Sequence, residues 1–83
     1  MKVTVKYFAG IRETIGTGSE LRETAAATLG QLRDELIALG GDHAEALARG
    51  KSVRLALNQT MCDEATVLLE GAEVAFFPPV TGG

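Results

Sequence analysis

The chain has no tryptophan, one cysteine, one histidine and two prolines in 83 residues. A lone cysteine cannot close an internal disulfide, which fits a reducing compartment and sets the cytoplasm as the expected location. Cys62 and His43 together fall short of the three or four protein ligands of a zinc site, so no bound metal is expected. No apolar run approaches the roughly 20 residues that span a bilayer, which argues against a membrane partner. The opening Met1-Lys2-Val3-Thr4-Val5-Lys6 breaks its apolar character at Lys6 and does not read as a signal peptide. Eight basic residues against eleven acidic ones leave a net charge of −3, so a nucleic-acid partner, which needs a basic face, is not expected either. Beyond Arg54 there is no lysine or arginine at all. Asp63, Glu64, Glu70 and Glu73 make that last stretch acidic, which points to a basic partner.

What is present suffices for one domain. With 46% hydrophobic and 23% charged residues the composition is that of a small folded protein. Lys2 to Phe8 alternates as a strand, with Val3, Val5 and Tyr7 on one face and Thr4, Lys6 and Phe8 on the other. Ala9 to Ile15 reads as a short helical turn stopped by Gly16-Thr17-Gly18, and Ser19 to Thr24 as a short polar strand. Thr28 to Leu39 has the pattern of the main helix. Thr28 and Gln31 form a capping box, Leu29, Leu32, Leu36 and Leu39 make an apolar stripe, and Arg33, Asp34 and Glu35 fall on the other side. Gly40-Gly41 ends it, and Asp42 is placed to cap a second, shorter helix running through Arg49. Ser52 to Asn58 alternates again, Thr60 to Cys62 and Thr66 to Leu69 are short apolar pieces, and Ala72 to Phe77 is the last strand before Pro78-Pro79 stops the ladder. This order gives an α+β fold, one sheet covered on one face by one principal helix, with the first and last strands parallel.

Side-chain catalysis finds little support. Cys62 and His43 have nothing to orient them as a nucleophile and base. Asp63-Glu64 suits a solvated turn, and Gly16-Thr17-Gly18 lacks the helix that a phosphate loop requires. What stands out is the end of the chain. Pro78-Pro79 fixes the direction in which the chain leaves the sheet, and the tail Val80-Thr81-Gly82-Gly83 reaches at most ~14 Å beyond it. A tip without side chains threads a channel too narrow for any Cβ and presents one functional group, the α-carboxylate of Gly83. ATP can convert that carboxylate to an acyl-adenylate, which a thiol, a persulfide or an amine then attacks. Phe8 and Phe77, both on the strand face away from the core, form a candidate docking patch at the base of the tail.

The run Gly71-Ala72-Glu73-Val74-Ala75-Phe76-Phe77-Pro78-Pro79-Val80-Thr81-Gly82-Gly83 resembles the C-terminus of the small subunits of molybdopterin synthase. The similarity extends to Tyr7-Phe8-Ala9 with Arg12-Glu13 and to Leu57-Asn58-Gln59-Thr60. It implies a ubiquitin-like β-grasp domain over residues 1–79 and an extended, flexible tail over 80–83. It further implies that Gly83 is adenylated by an E1-like enzyme using ATP and converted by a persulfide sulfur donor to a thiocarboxylate. The tail would then enter a pocket of the large synthase subunit and give its sulfur to a cyclic pyranopterin held there. The chain itself would bind no cofactor and supply no catalytic side chain. Val80, Thr81 and Gly82 would thread the partner, and Phe8, Met61, Phe77, Pro78 and Pro79 would form the interface. Arg12 and Asn58 match family positions without an assigned chemistry, and Gly10 departs from the pattern, standing where a larger residue is common. A thiamine-pathway sulfur carrier, a ubiquitin-like modifier conjugated through Gly83 and a plain interaction module remain as alternatives.

Overall fold

A computed structural model describes residues 1–79. Five strands and three helices follow in the order β1 (Lys2–Tyr7), α1 (Ala9–Ile15), β2 (Ser19–Glu23), α2 (Leu29–Ala38), α3 (Gly41–Leu47), β3 (Arg54–Leu57), β4 (Thr60–Cys62) and β5 (Glu73–Phe77). They build one mixed sheet in the order β2-β1-β5-β3-β4. The expected parallel pairing of first and last strands is present, with Val5 opposite Val74 and Tyr7 opposite Phe76. The remaining pairs are antiparallel. Val3, Val5, Tyr7, Leu55, Val74 and Phe76 point to one face and are buried against Leu29, Leu32 and Leu36 of α2, with Ile11 of α1 and Ala46 and Leu47 of α3 completing the core.

Local signals account for the turns. Asn58 and Gln59 have φ of 49° and 70°, the two-residue connection whose twist suits a β-hairpin, here joining β3 to β4. The Asn58 side chain also accepts from the Glu73 amide at 2.9 Å, and its own amide donates to the Glu73 carbonyl at 2.8 Å. Asn58 therefore fixes the start of β5 and is a structural residue. At the head of α2, Thr28 Oγ1 accepts from the Gln31 amide at 3.2 Å, while Gln31 Oε1 reaches back one residue further than a standard capping box, to the Ala27 amide at 2.7 Å.

Several expectations need correction. α3 starts at Gly41 with Gly40 as its N-cap, so Asp42 lies in the first turn instead of capping, and the helix ends at Leu47. β3 begins at Arg54 and not at Ser52. Thr66 to Leu69 is no strand: Val67 makes one isolated bridge to Thr28, and only Leu68 of the segment is buried. Leu39 lies beyond α2 and is half exposed. The largest departure is Arg33, expected on the solvent side and in fact 3% exposed.

The burial of Arg33 has a clear cause. Its guanidinium donates to the carbonyls of Leu47 at 2.8 Å, Ala48 at 2.9 Å and Lys51 at 3.1 Å, and to Glu64 Oε2 at 2.9 Å. A planar fork of five N–H donors satisfies three carbonyls at and just past the end of α3 and a carboxylate from the β4–β5 loop at once. Arg49 adds donors to Glu64, to Asp34 at 2.7 Å and to the Gly30 carbonyl at 3.1 Å. Gly30 is what lets that loop approach: a Cβ there would lie 3.1 Å from the Glu64 carbonyl oxygen.

Arg33→Ala removes the donors from three carbonyls and one carboxylate, and should cost about 2–4 kcal/mol in urea unfolding. Arg33→Met, which keeps the apolar stem, should lose nearly as much if the hydrogen bonds matter more than the packing. Glu64 provides a pH test. Hydrogen bonds from Arg49 hold its carboxyl below the ordinary 4.5 against the opposing effect of burial, and Arg33 adds to the shift. A folded value below the unfolded one means that the stabilisation is complete above about pH 4.5 and is lost as pH falls through the folded value. Glu64→Gln should therefore lower stability at neutral pH and flatten the acid limb of the stability profile.

Candidate functional site

The site grows out of the β1–β5 pairing. Tyr7 sits opposite Phe76, and their rings stack on the core face with centroids 6.1 Å apart. One residue further along each strand the side chains point the other way. Phe8 and Phe77 thus meet on the outer face, with centroids 4.6 Å apart and planes 10° from parallel. Phe8 is locked by its backbone as well. Its amide donates to the Phe76 carbonyl at 3.2 Å, extending the ladder, while its own carbonyl accepts from Ile11 at 3.2 Å as the first turn of α1 begins. Ala9, at φ 50°, makes the sharp change from strand to helix. α1 turns its Ile11 into the core and leaves Phe8 40% exposed.

Around this stack the outer face forms a groove of about 400 Å3 lined by Phe8, Ala9, Arg54, Met61, Phe77, Pro78 and Pro79. All five interface residues expected from the sequence, Phe8, Met61, Phe77, Pro78 and Pro79, come together here. Met61 arrives through register: it pairs with Ala56, which pairs with Ala75, so all three face outward. The two alanines keep the floor low between Met61, which is 54% exposed, and the aromatic stack. Sequence reasoning did not single out Arg54. Its signal lies in the alternation of β3: Leu55 points inward, so Arg54 points outward, opposite Phe77. Val80, Thr81, Gly82 and Gly83, expected to carry the chemistry, lie outside the described residues.

Other candidates resolve into structural roles. His43 Nε2 lies 2.9 Å from Glu20 Oε2, which also accepts from the Tyr7 hydroxyl at 2.8 Å. Burial, then the bond to Glu20, pushes the Tyr7 phenol well above its ordinary range. Burial alone would raise Glu20, yet the hydrogen bonds from His43 and Tyr7 outweigh it and hold the carboxyl below 4.5. Glu20 belongs to β2, at one edge of the sheet, whereas Cys62 belongs to β4 at the opposite edge. His43 and Cys62 therefore do not form a nucleophile–base pair. Of the acids expected to face a basic partner, Glu64 is held by Arg33 and Arg49, Glu73 by Lys6 at 3.4 Å, and Glu70 by the Lys2 amide at 3.0 Å. Asp63 accepts from the Ala65 amide at 2.9 Å. Most of that charge is thus engaged within the chain. Among the described residues no group of three His, Cys, Asp or Glu side chains is arranged to hold a metal, and no helix is long and apolar enough to cross a membrane.

A sheet of this order has counterparts among known proteins. The ThiS family pattern matches residues 5–83. The chain belongs to the ThiS family. A molybdopterin synthase sulfur carrier subunit from Haemophilus influenzae is 41% identical over 81 residues, covering 98% of this chain and 99% of that protein. Among solved structures, SAMP1 from Haloferax volcanii superposes with a TM-score of 0.77 at 26% identity, over all of both chains. A chain in the complex of subunits 1 and 2 of molybdopterin-converting factor from Helicobacter pylori gives a TM-score of 0.69 at 28% identity, again over all of both chains. The fold is therefore that of the ubiquitin-like β-grasp proteins, as the sequence resemblance implied.

In this ThiS-family chain the outer and inner aromatics should differ sharply in their importance to stability. Phe8→Ala removes one stack on an open face and should cost about 0.5–1.5 kcal/mol. Phe76→Ala, which empties a fully buried site, should cost about 3–5 kcal/mol. Urea unfolding of both variants checks this, and equal losses would mean that Phe8 belongs to the core.

Proposed function

We propose that this chain is the sulfur carrier subunit of a molybdopterin synthase, with Gly83 as its working residue. The observation that carries the reading is the full-length similarity to the Haemophilus influenzae carrier subunit, in a chain that itself ends Phe76-Phe77-Pro78-Pro79-Val80-Thr81-Gly82-Gly83. The described geometry supports it. β5 delivers the chain to Pro78-Pro79 directly beside an exposed aromatic groove, so a partner gripping that groove also receives the tail.

The chemistry follows from the reactivity of a carboxylate, which is a poor electrophile until activated. An E1-like enzyme transfers AMP from ATP to the Gly83 carboxylate and releases pyrophosphate. A persulfide sulfur then attacks the acyl carbon and expels AMP, giving an acyl disulfide. A thiolate cleaves the S–S bond and leaves the terminal sulfur on Gly83 as a thiocarboxylate, ionised at neutral pH and nucleophilic. Docked on the large synthase subunit through Phe8, Met61, Phe77, Pro78 and Pro79, the chain threads Val80, Thr81 and Gly82 and presents this sulfur to cyclic pyranopterin monophosphate. A dithiolene contains two sulfurs, so two loaded carriers are consumed per molybdopterin. No side chain of the described body takes part in the bond making. The activating enzyme and the large subunit supply the catalytic groups, and the reactions take place in the cytoplasm.

The 26% identity to SAMP1, over the whole of both chains, keeps one second reading in view, a modifier that forms an amide through Gly83. Intact-mass analysis after incubation with the activating enzyme, ATP and a sulfur source separates the two. The carrier reading expects one oxygen exchanged for sulfur, and deletion of Gly83 should abolish molybdopterin formation. An unchanged mass together with lysine-linked conjugates in cells would overturn it.

A further inference from the structure

Two grooves share Pro78 and Pro79 as a common wall. The outer one, described above, carries Arg54. The second, of about 460 Å3, lies on the other side of the prolines, walled by Gly10, Ile11, Thr14 and Val53, and it carries Lys51. Gly10, the departure from the family pattern, leaves this groove open, since a Cβ there would meet no atom within 4 Å. Each groove has one cation, and no aspartate or glutamate lines either of them.

Half of the chain's eight cations are committed to ion pairs. Lys6, Arg22, Arg33 and Arg49 are each paired with a carboxylate of the same chain. Lys51 and Arg54 are exposed, and neither has a carboxylate within ion-pair distance among the described residues. Lys2 and Arg12 are likewise unpaired among the described residues, but only Lys51 and Arg54 line the two grooves at Pro78-Pro79, where in a protein of net charge −3 they are placed to meet something else. An arginine fork beside an apolar groove suits bidentate pairing with a carboxylate.

We propose that Arg54 and Lys51 form a cationic rim that recognises carboxylates on the docking face of the large synthase subunit, one on each side of the emerging tail. This rests on the proposed carrier role and assigns the partner's chemistry at the groove. Glu64 and Glu73 are neutralised within the chain, and although Asp63 shares a neighbouring groove with Arg54, the two grooves at the exit are lined by cations without carboxylates, so the partner's rim is acidic there instead of basic. Rim charges of this kind govern encounter rate and partner choice more than final affinity.

Titration of the full chain against the purified large subunit, at low and raised salt, tests this. The Lys51→Glu/Arg54→Glu double variant should bind roughly 10-fold or more weakly at low salt, mainly through slower association, with the deficit shrinking as salt rises. Lys2→Glu matches the charge change of either single variant, Lys51→Glu or Arg54→Glu, and is their control: Lys2 is exposed, unpaired among the described residues and at the opposite end of β1, and its substitution should leave binding nearly unchanged where each single rim variant weakens it. Phe77→Ser reports on the carrier reading itself. If Phe77→Ser abolishes binding while the double variant binds as well as the parent, or while each single variant binds no worse than Lys2→Glu, the rim is refuted and the docking face stands. If Phe77→Ser also binds normally, the docking reading fails with it.

Discussion

The parallel pairing of β1 with β5 is the constraint from which the rest follows. It joins residues about seventy positions apart in sequence and places the end of the folded body beside the first turn of the chain. Strand geometry then does the sorting. With Tyr7 opposite Phe76, the inward rings must stack in the core and the next residues, Phe8 and Phe77, must stack outside it. A one-residue slip of β5 would turn Phe76 outward and Phe77 inward while Tyr7 and Phe8 stayed in place, breaking both stacks. The docking face and the core are thus specified by one alignment.

That alignment also separates stability from recognition. The load on the inner face is carried by Leu29, Leu32, Leu36 and Leu47, and by the Arg33 fork that ties α2 to the segment after α3 and to the β4–β5 loop. None of these side chains reaches the outer groove. The outer face has small residues, Ala56 and Ala75, where a core would have large ones, and keeps its bulk at Met61 and the aromatic stack. Burial of the alanines with exposure of Met61 is the signature of a surface shaped for a partner more than for internal packing.

The sequence revealed the strands, the main helix and the groove residues because these depend on period and register. Phe8 and Phe77 could be placed on one face by counting alternation from Val3 and Val74. Met61 came from the family resemblance, and only the pairing of β4 with β3 explains its position. What escaped was long-range polar chemistry. Arg33 sits at a helical position that reads as solvent-facing, and nothing local announces that the carbonyls of Leu47, Ala48 and Lys51 will gather around it. The acidic last third shows the same limit. Counting charges suggested a partner, whereas tertiary contacts tie Glu64 and Glu73 to cations from α2, β1 and the α3–β3 connection.

These misreadings share a physical origin that bears on how the molecule works. A small domain has few buried positions, so its polar groups are drawn into holding the loops together, and formal charge in the sequence overstates the charge left for binding. On this chain the engaged charges are largely the conspicuous ones: Glu64, Glu73, Arg49 and the Tyr7–Glu20–His43 cluster. Around Pro78-Pro79 an aromatic stack, a methionine and two cations unpaired among the described residues surround the point at which the chain departs. A partner that contacts this end meets apolar area for affinity and charge for selection within one surface, and it does so beside the segment that leads to Gly83. The exposed aromatic groove and the exit of the described chain are therefore coupled by geometry.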